Sequence, residues 1–157
     1  MLVAHAEIRL AQKPSLTLEA ALAVVKTVEA TALRHGYGFV IAVVDDGGHL
    51  LALHRMDGVQ IGSIDMAILK ARTAIRFKRP TRVLQDAVDS HGRTTLLCIP
   101  DGIPLDGGVP LEASGKIVGA VGVSGVTDEI DGDAARAGAS VLSIIVAATD
   151  AVTNGMI

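Results

Sequence analysis

Across LTLEAALAVVKTVEATALRHG, apolar residues return every three to four positions, with Leu18, Leu22, Val25, Val28 and Ala32 on one side. That spacing predicts an amphipathic helix. Pro14 with Ser15 or Thr17 marks its start, Glu19 in the first turn suits the helix dipole, and Gly36 ends it. The pattern then changes to FVIAVVD and HLLALHRM, two strand-like runs joined by DGG, a turn in which glycine accepts positive φ. The unbroken apolarity of VIAVV predicts a strand covered on both faces.

Helical spacing resumes in IDMAILKARTAIRFK, with Ile61, Ile64, Ile68, Ala71 and Ile75 as the core stripe, Ser63 as cap and Pro80 as terminator. PTRVLQDAVDSHG reads as a short third helix capped by Thr81, and TTLLCI could form a short strand. PDGIPLDGGVP is loop, punctuated by glycine and proline. PLEA, the turn SGK and IVGAVGVSG form a second hairpin, and DEIDGDAARAGASVLSIIVAATDAV a long closing helix with Thr127 or Asp128 at its N-cap. Paired hairpins without strand–helix–strand alternation predict an α+β fold, an antiparallel sheet with helices packed on it.

Residues 1–157 read as one domain, with 1–14 as an N-terminal extension. Half the residues are hydrophobic, yet Phe39, Phe77 and Tyr37 are the only aromatic ones, so the core must be aliphatic. The positive mean hydropathy suggests apolar surface covered by other subunits. A net charge of −3 without a basic stripe argues against nucleic acid. Cys98 is the only cysteine, which excludes an internal disulfide and a multi-cysteine metal site. The start MLVAHAEIRLAQKPS is a poor secretory signal, and SVLSIIVAATDAV falls short of the ~20 residues that cross a bilayer. A cytoplasmic protein without a membrane partner is expected.

Several residues could carry chemistry. Met66, Lys70, Thr73 or Ala74, and Phe77 form a second face of the second helix, with Lys70 at its centre. Lys70 either snorkels over apolar surface or lines a pocket where it meets an anion or a carboxylate. Neither DGGVP nor GVSGVTDE fits a dinucleotide fingerprint. Gly119, Gly122 and Gly125 could thin a strand for a close neighbour, while Ser124 and Gly125 lead into the last helix, whose free N–H groups could hold a carboxylate or propionate. The histidines His5, His35, His49, His54 and His91 lack the spacing of a zinc helix, so the metal, if any, is unknown. His49 and His54 point to opposite sides of their strand.

AVVDDGGHLLALHRMDG, SIDMAILKARTA, RPT, GGVPL, GKIVGAVGVSG and the trailing ARAG, in that order over about residues 16–145, resemble the GlcG/HbpS-like heme-binding family. That family includes the C-terminal domain of PduO-type proteins. The resemblance implies a profilin-like fold with a five-stranded antiparallel sheet, assembly into a homo-oligomer (a tetramer or octamer), heme as a possible cofactor and a role in catabolism. Carried over by position are Asp45, Arg55, Asp57, Ser63, Lys70, Ala71, Thr73, Gly107, Gly108, Pro110, Gly122, Ser124 and Gly125, with Gly47, Gly48 and Gly115 in turns. Two departures stand out: His35 lies at the end of the early helix, and HGRTTLLCIPDGIPLDGG carries His91, Arg93 and Asp101.

Two functions follow from these readings. In the first, the protein is an oligomeric binder of heme or a related small anionic ligand. Arg55 and Lys70 would meet carboxylates, with Gly107, Gly108, Ser124 and Gly125 around the ligand. In the second, it is a tautomerase, isomerase or lyase acting on a small carboxylated or oxo-acid metabolite, with Lys70 or His54 as acid–base and Arg55 as anchor.

Overall fold

A computed structural model describes residues 8–154, and the side chains through residue 144. The elements are α1 (Leu18–His35), β1 (Val40–Asp45), β2 (Leu50–Arg55), α2 (Gly62–Phe77), α3 (Thr81–Asp89), a 3-10 turn (Thr94–Cys98), β3 (Gly108–Ala113), β4 (Lys116–Ser124) and α4 (Asp128–Asn154). The strands form one antiparallel sheet in the order β2-β1-β4-β3. The α+β expectation therefore holds, with four helices packed on a sheet that has four strands among the described residues rather than five. Residues 94–98, which could have supplied another strand, coil instead. Their turn has no buried residue and its hydrogen bonds are local, Leu96 N to Arg93 O and Ile99 N to Leu96 O.

Both hairpins turn where the sequence predicts. Asp45 Oδ1 accepts the Gly47 and His49 amides, each at 2.9 Å, which closes the first turn. In the second, Ser114 and Gly115 both have positive φ, 49° and 73°, matching the twist of the flanking strands. α1 is capped by the Thr17 hydroxyl, which accepts from Ala20 N, and ends at Gly36 in the left-handed region. Residues 8–17, before α1, form no helix or strand.

Alternation sorts the sheet into two faces. Ile41, Val43, Val121 and Val123 pack with Val24, Val25 and Val28 of α1 and with Ala134, Ala135 and Leu142 of α4. Val40, Ala42, Val44 and Ala120 face α2. β1 is thus covered on both sides, as its unbroken apolarity predicts.

α2 differs from its expected stripe. Ile61 lies outside the helix and is 76% exposed, whereas the buried face is Ser63, Ala67, Lys70, Ala71, Thr73, Ala74 and Ile75. The helix backbone lies almost on the sheet: a Cβ on Gly122 would stand 2.0 Å from Ala67 O, and one on Gly108 2.2 Å from Lys70 O. Gly108 and Gly122 pair across β3 and β4, so two facing glycines make the seat. The closest approach admits little beyond small side chains, so Ile64 and Ile68 are only partly buried, whereas Ala71 and Ile75 of the expected stripe are buried.

Two expected caps are also different. Ser63 sits inside α2 and its hydroxyl accepts from Gln60 Nε2, leaving the helix start without a side-chain cap. Thr81 is the first residue of α3, and its hydroxyl accepts the Gly108 amide at 2.9 Å. Among the described residues, no helix is long and apolar enough to cross a membrane.

Candidate functional site

The strand register decides which candidates can meet. Arg55, Val40 and Ser124 stand side by side across β2, β1 and β4, on the face that carries α2. His54, Ile41 and Val123 form the next row, on the face of α1 and α4. Consecutive residues of one strand point to opposite sides, so His54 and Arg55 serve different compartments.

His54 Nδ1 lies 2.7 Å from Glu29 Oε1 of α1, with the His54 side chain 43% exposed. His49 lies beside Asp45, and His91 Nδ1 beside the Asp86 carbonyl. His35 stacks on Tyr37. His5 lies outside the described residues. Among the described residues, no group of three or more His, Cys, Asp or Glu could hold a metal ion.

Lys70 is inside the protein, 1% exposed. Its ammonium donates to Asp131 Oδ2 at 2.8 Å and to the Val123 carbonyl at 3.2 Å. The other oxygen of Asp131 accepts Val126 N at 3.1 Å, so the pair ties α2 to the β4–α4 junction. A Cβ on Gly107 would stand 2.9 Å from Lys70 Nζ, so glycine is what allows the loop to close over the ammonium. The structure therefore brings Lys70, Gly107 and Gly108 together, with Asp131 as the partner that sequence reasoning missed.

A second buried carboxylate went unnoticed in the sequence. Asp106 is fully buried; it accepts Gly107 N at 2.8 Å and Arg136 Nη1 at 3.2 and 3.3 Å, and Arg82 approaches at 3.8 Å. Desolvation opposes the charge on Arg136, but hydrogen bonds and attraction from Asp133 and Asp106 outweigh it and raise its pKa. Carboxylates on loops and helix starts are normally solvated, so their types alone give no signal. The one available hint is the position of Asp106 directly before two glycines.

Ser124 and Gly125 lie at the β4–α4 junction beside the Lys70–Asp131 pair, and Arg55 stands two strands away in the row of Ser124. Arg55 is exposed at the end of edge strand β2, whereas Ser124 is 7% exposed. Beyond this row lies a crevice of 350 Å³ lined by Gly38, Asp57, Gly58, Val59, Gln60 and Gly125. Its floor is tight: a Cβ on Gly125 would stand 2.2 Å from Gly38 O. The Ser124–Gly125 junction itself offers little to an anion. Val126 N is taken by Asp131, Ile130 N by Thr127 Oγ1 at 3.4 Å, and Asp128, Glu129 and Asp131 crowd the first turn of α4. The uncapped start of α2, two residues after Gln60, is the less acidic terminus beside the crevice.

Known proteins share this architecture. The Escherichia coli protein GlcG is 40% identical over 112 residues, 71% of this chain and 83% of GlcG. A double mutant of Streptomyces reticuli HbpS is 36% identical with a TM-score of 0.78, over 91% of this chain and 99% of HbpS. The PduOC:heme complex is 25% identical with a TM-score of 0.72, over 81% of this chain and 94% of PduOC. A family model described as "Haem degrading protein HbpS-like" matches residues 16–140. With that match spanning most of the sequence and the fold in agreement, the chain belongs to the HbpS-like family.

Proposed function

We propose that this protein binds a small carboxylate in the Arg55 crevice, as an assembly of several copies of the chain. The observation that carries the reading is the division of the candidate groups. Lys70 is locked to Asp131 in the interior, His54 faces the opposite side of the sheet, and Arg55 stands exposed at the end of β2, two residues before Asp57, which lines an open crevice. An exposed guanidinium is suited to a carboxylate, with which it forms paired hydrogen bonds. Asp57 in the lining can accept a hydrogen bond from a ligand hydroxyl, its charge offset by Arg55 two residues earlier, which favours a small hydroxy acid over a simple fatty acid. The apolar residues beside it, Ile61 at 76% and Val126 at 43% exposure, support closure of the crevice by a second copy.

Heme is the ligand that the relatives suggest. PduOC has been solved as a heme complex and is similar over most of this chain. The residues here do not fit an enclosed heme site within one copy. No histidine or aromatic ring lines the 350 Å³ crevice, and His35 borders a separate pocket of 160 Å³. Ligand pockets for drug-sized molecules run to about 300–1,000 Å³ and bury most of the ligand. A macrocycle would have to lie on a surface shared between copies.

An enzymatic role for Lys70 has less support, because its ammonium is already paired and out of solvent. The His54–Glu29 contact is the one arrangement that favours acid–base chemistry, since a carboxylate fixes the imidazole tautomer. It faces away from Arg55.

The test is a pair of titrations on the full chain. Lactate, followed by calorimetry, is expected to saturate one site per chain; hemin, followed by absorption, is expected to keep the spectrum of free heme. A saturating Soret shift with hemin and no heat with lactate would overturn the reading.

A further inference from the structure

A second pocket lies on the opposite side of the sheet, between the end of α1 and the first turns of α4, with a volume of 160 Å³. It gathers two of the chain's three aromatic residues and one histidine into a protein that is otherwise aliphatic. His35 and Tyr37 stack at 5.6 Å with 20° between their planes. Tyr37 and Phe39 lie 6.0 Å apart and tilted by 59°. Alternation places Tyr37 and Phe39 on one side and Gly38 on the other, against the Arg55 crevice. The two pockets share only this strand entry.

Size and chemistry both select the occupant. A cavity of about 150 Å³ lined by apolar side chains accepts one benzene ring. Here the half-buried Ile130 supplies the apolar wall, backed by the buried Phe39 and Ala134, and the half-buried Tyr37 supplies a ring for aromatic contact. The mouth is acidic. Asp133 is 75% exposed there, and only its Oδ1 accepts from Arg136, a guanidinium shared with Asp106. A carboxylate has further acceptor positions, so a hydroxyl on the ligand has a partner, while a ligand carboxylate meets repulsion.

We propose that this pocket binds a single neutral aromatic ring bearing a hydroxyl, the ring held by Tyr37 and Ile130 and the hydroxyl donating to Asp133. Tyr37 is the chain's one tyrosine, and there is no tryptophan, so its ring signals report this pocket alone.

The experiment titrates the full chain with phenol, cyclohexanol and benzoate, following the Tyr37 ring by NMR and affinity by calorimetry. Phenol is expected to give saturating shifts. Cyclohexanol, of similar size and with the same hydroxyl, is expected to bind about threefold to tenfold more weakly, as is phenol to Tyr37→Leu. Asp133→Asn, on an exposed position that preserves the fold, is expected to weaken phenol and admit benzoate. Arg55→Ala is expected to leave phenol binding unchanged, which separates this site from the carboxylate crevice. Phenol shifts that do not saturate, cyclohexanol or benzoate binding as well as phenol, or an Asp133→Asn variant that behaves as the parent would each overturn the proposal.

Discussion

A lysine ammonium taken out of water needs an opposite charge and acceptors for its remaining N–H groups. Lys70 finds them in Asp131 at 2.8 Å and the Val123 carbonyl at 3.2 Å. Removing one partner strands the other, so Lys70→Met or Asp131→Leu alone should cost about 3–5 kcal/mol, and the double substitution should recover much of it. Urea unfolding of the two single variants and the double variant measures this. Asp45 acts at the same scale. The His49 amide, foremost, and the Gly47 amide hold its carboxyl below the usual 3.8, despite some opposition from desolvation. A depressed folded-state value means that the contribution is complete above 3.8 and is lost as pH falls through the lowered value. Asp45→Asn should therefore lower stability near neutrality while leaving it little changed in acid, so that the dependence of stability on acid pH flattens, which urea unfolding at several pH values measures. Sequence reasoning singled out Lys70 because a charge at the centre of an apolar face is anomalous. It could not find Asp131, because the partner is 61 residues away and is one of several acids in a helix's first turn, where acids are ordinary.

Elements were legible wherever burial follows side-chain size. α1 buries Val25, Val28 and Ala32 of its stripe but leaves Leu18 exposed and Leu22 only partly buried, while its Thr17 cap, its Gly36 stop and the two covered faces of β1 are as predicted. α2 shows the limit of that logic, since Ala71 and Ile75 are buried as the stripe predicts but Ile61 is exposed and Ile64 and Ile68 are only partly buried. What decides its position is the absence of side chains on the opposing strands, at Gly108 and Gly122, and periodicity within one helix does not report a gap in another element. Gly122→Ala would place a Cβ against the Ala67 carbonyl and should cost about 3 kcal/mol or more. Gly62→Ala, where a Cβ meets open space at the start of α2, should be neutral or stabilise by about 0.5–1 kcal/mol. Thermal denaturation of the two variants side by side checks the contrast. The coil at residues 94–98 was ambiguous in sequence because a short apolar run bounded by Gly92 and Pro100 suits strand and turn equally.

At the scale of the whole molecule, the sheet is a partition. One side carries α2, the buried Lys70–Asp131 pair and the row that ends in Arg55; the other carries α1, α4, the His54–Glu29 contact and the aromatic pocket. The sequence brought Arg55 and Lys70 under suspicion together, and both do lie on the α2 side. Lys70 is fastened to Val123 of inner strand β4, next to the glycines that lead into β3, and Arg55 stands two strands away on edge strand β2. This separation supports Arg55 as a recognition group and Lys70 as a fastening inside the fold. Calorimetric titration of lactate into the Arg55→Ala variant and the parent chain tests that assignment most directly. Loss of a charge-assisted pair should weaken binding about 10- to 100-fold while the unfolding midpoint stays in place. Equal affinity in the two proteins would contradict the account.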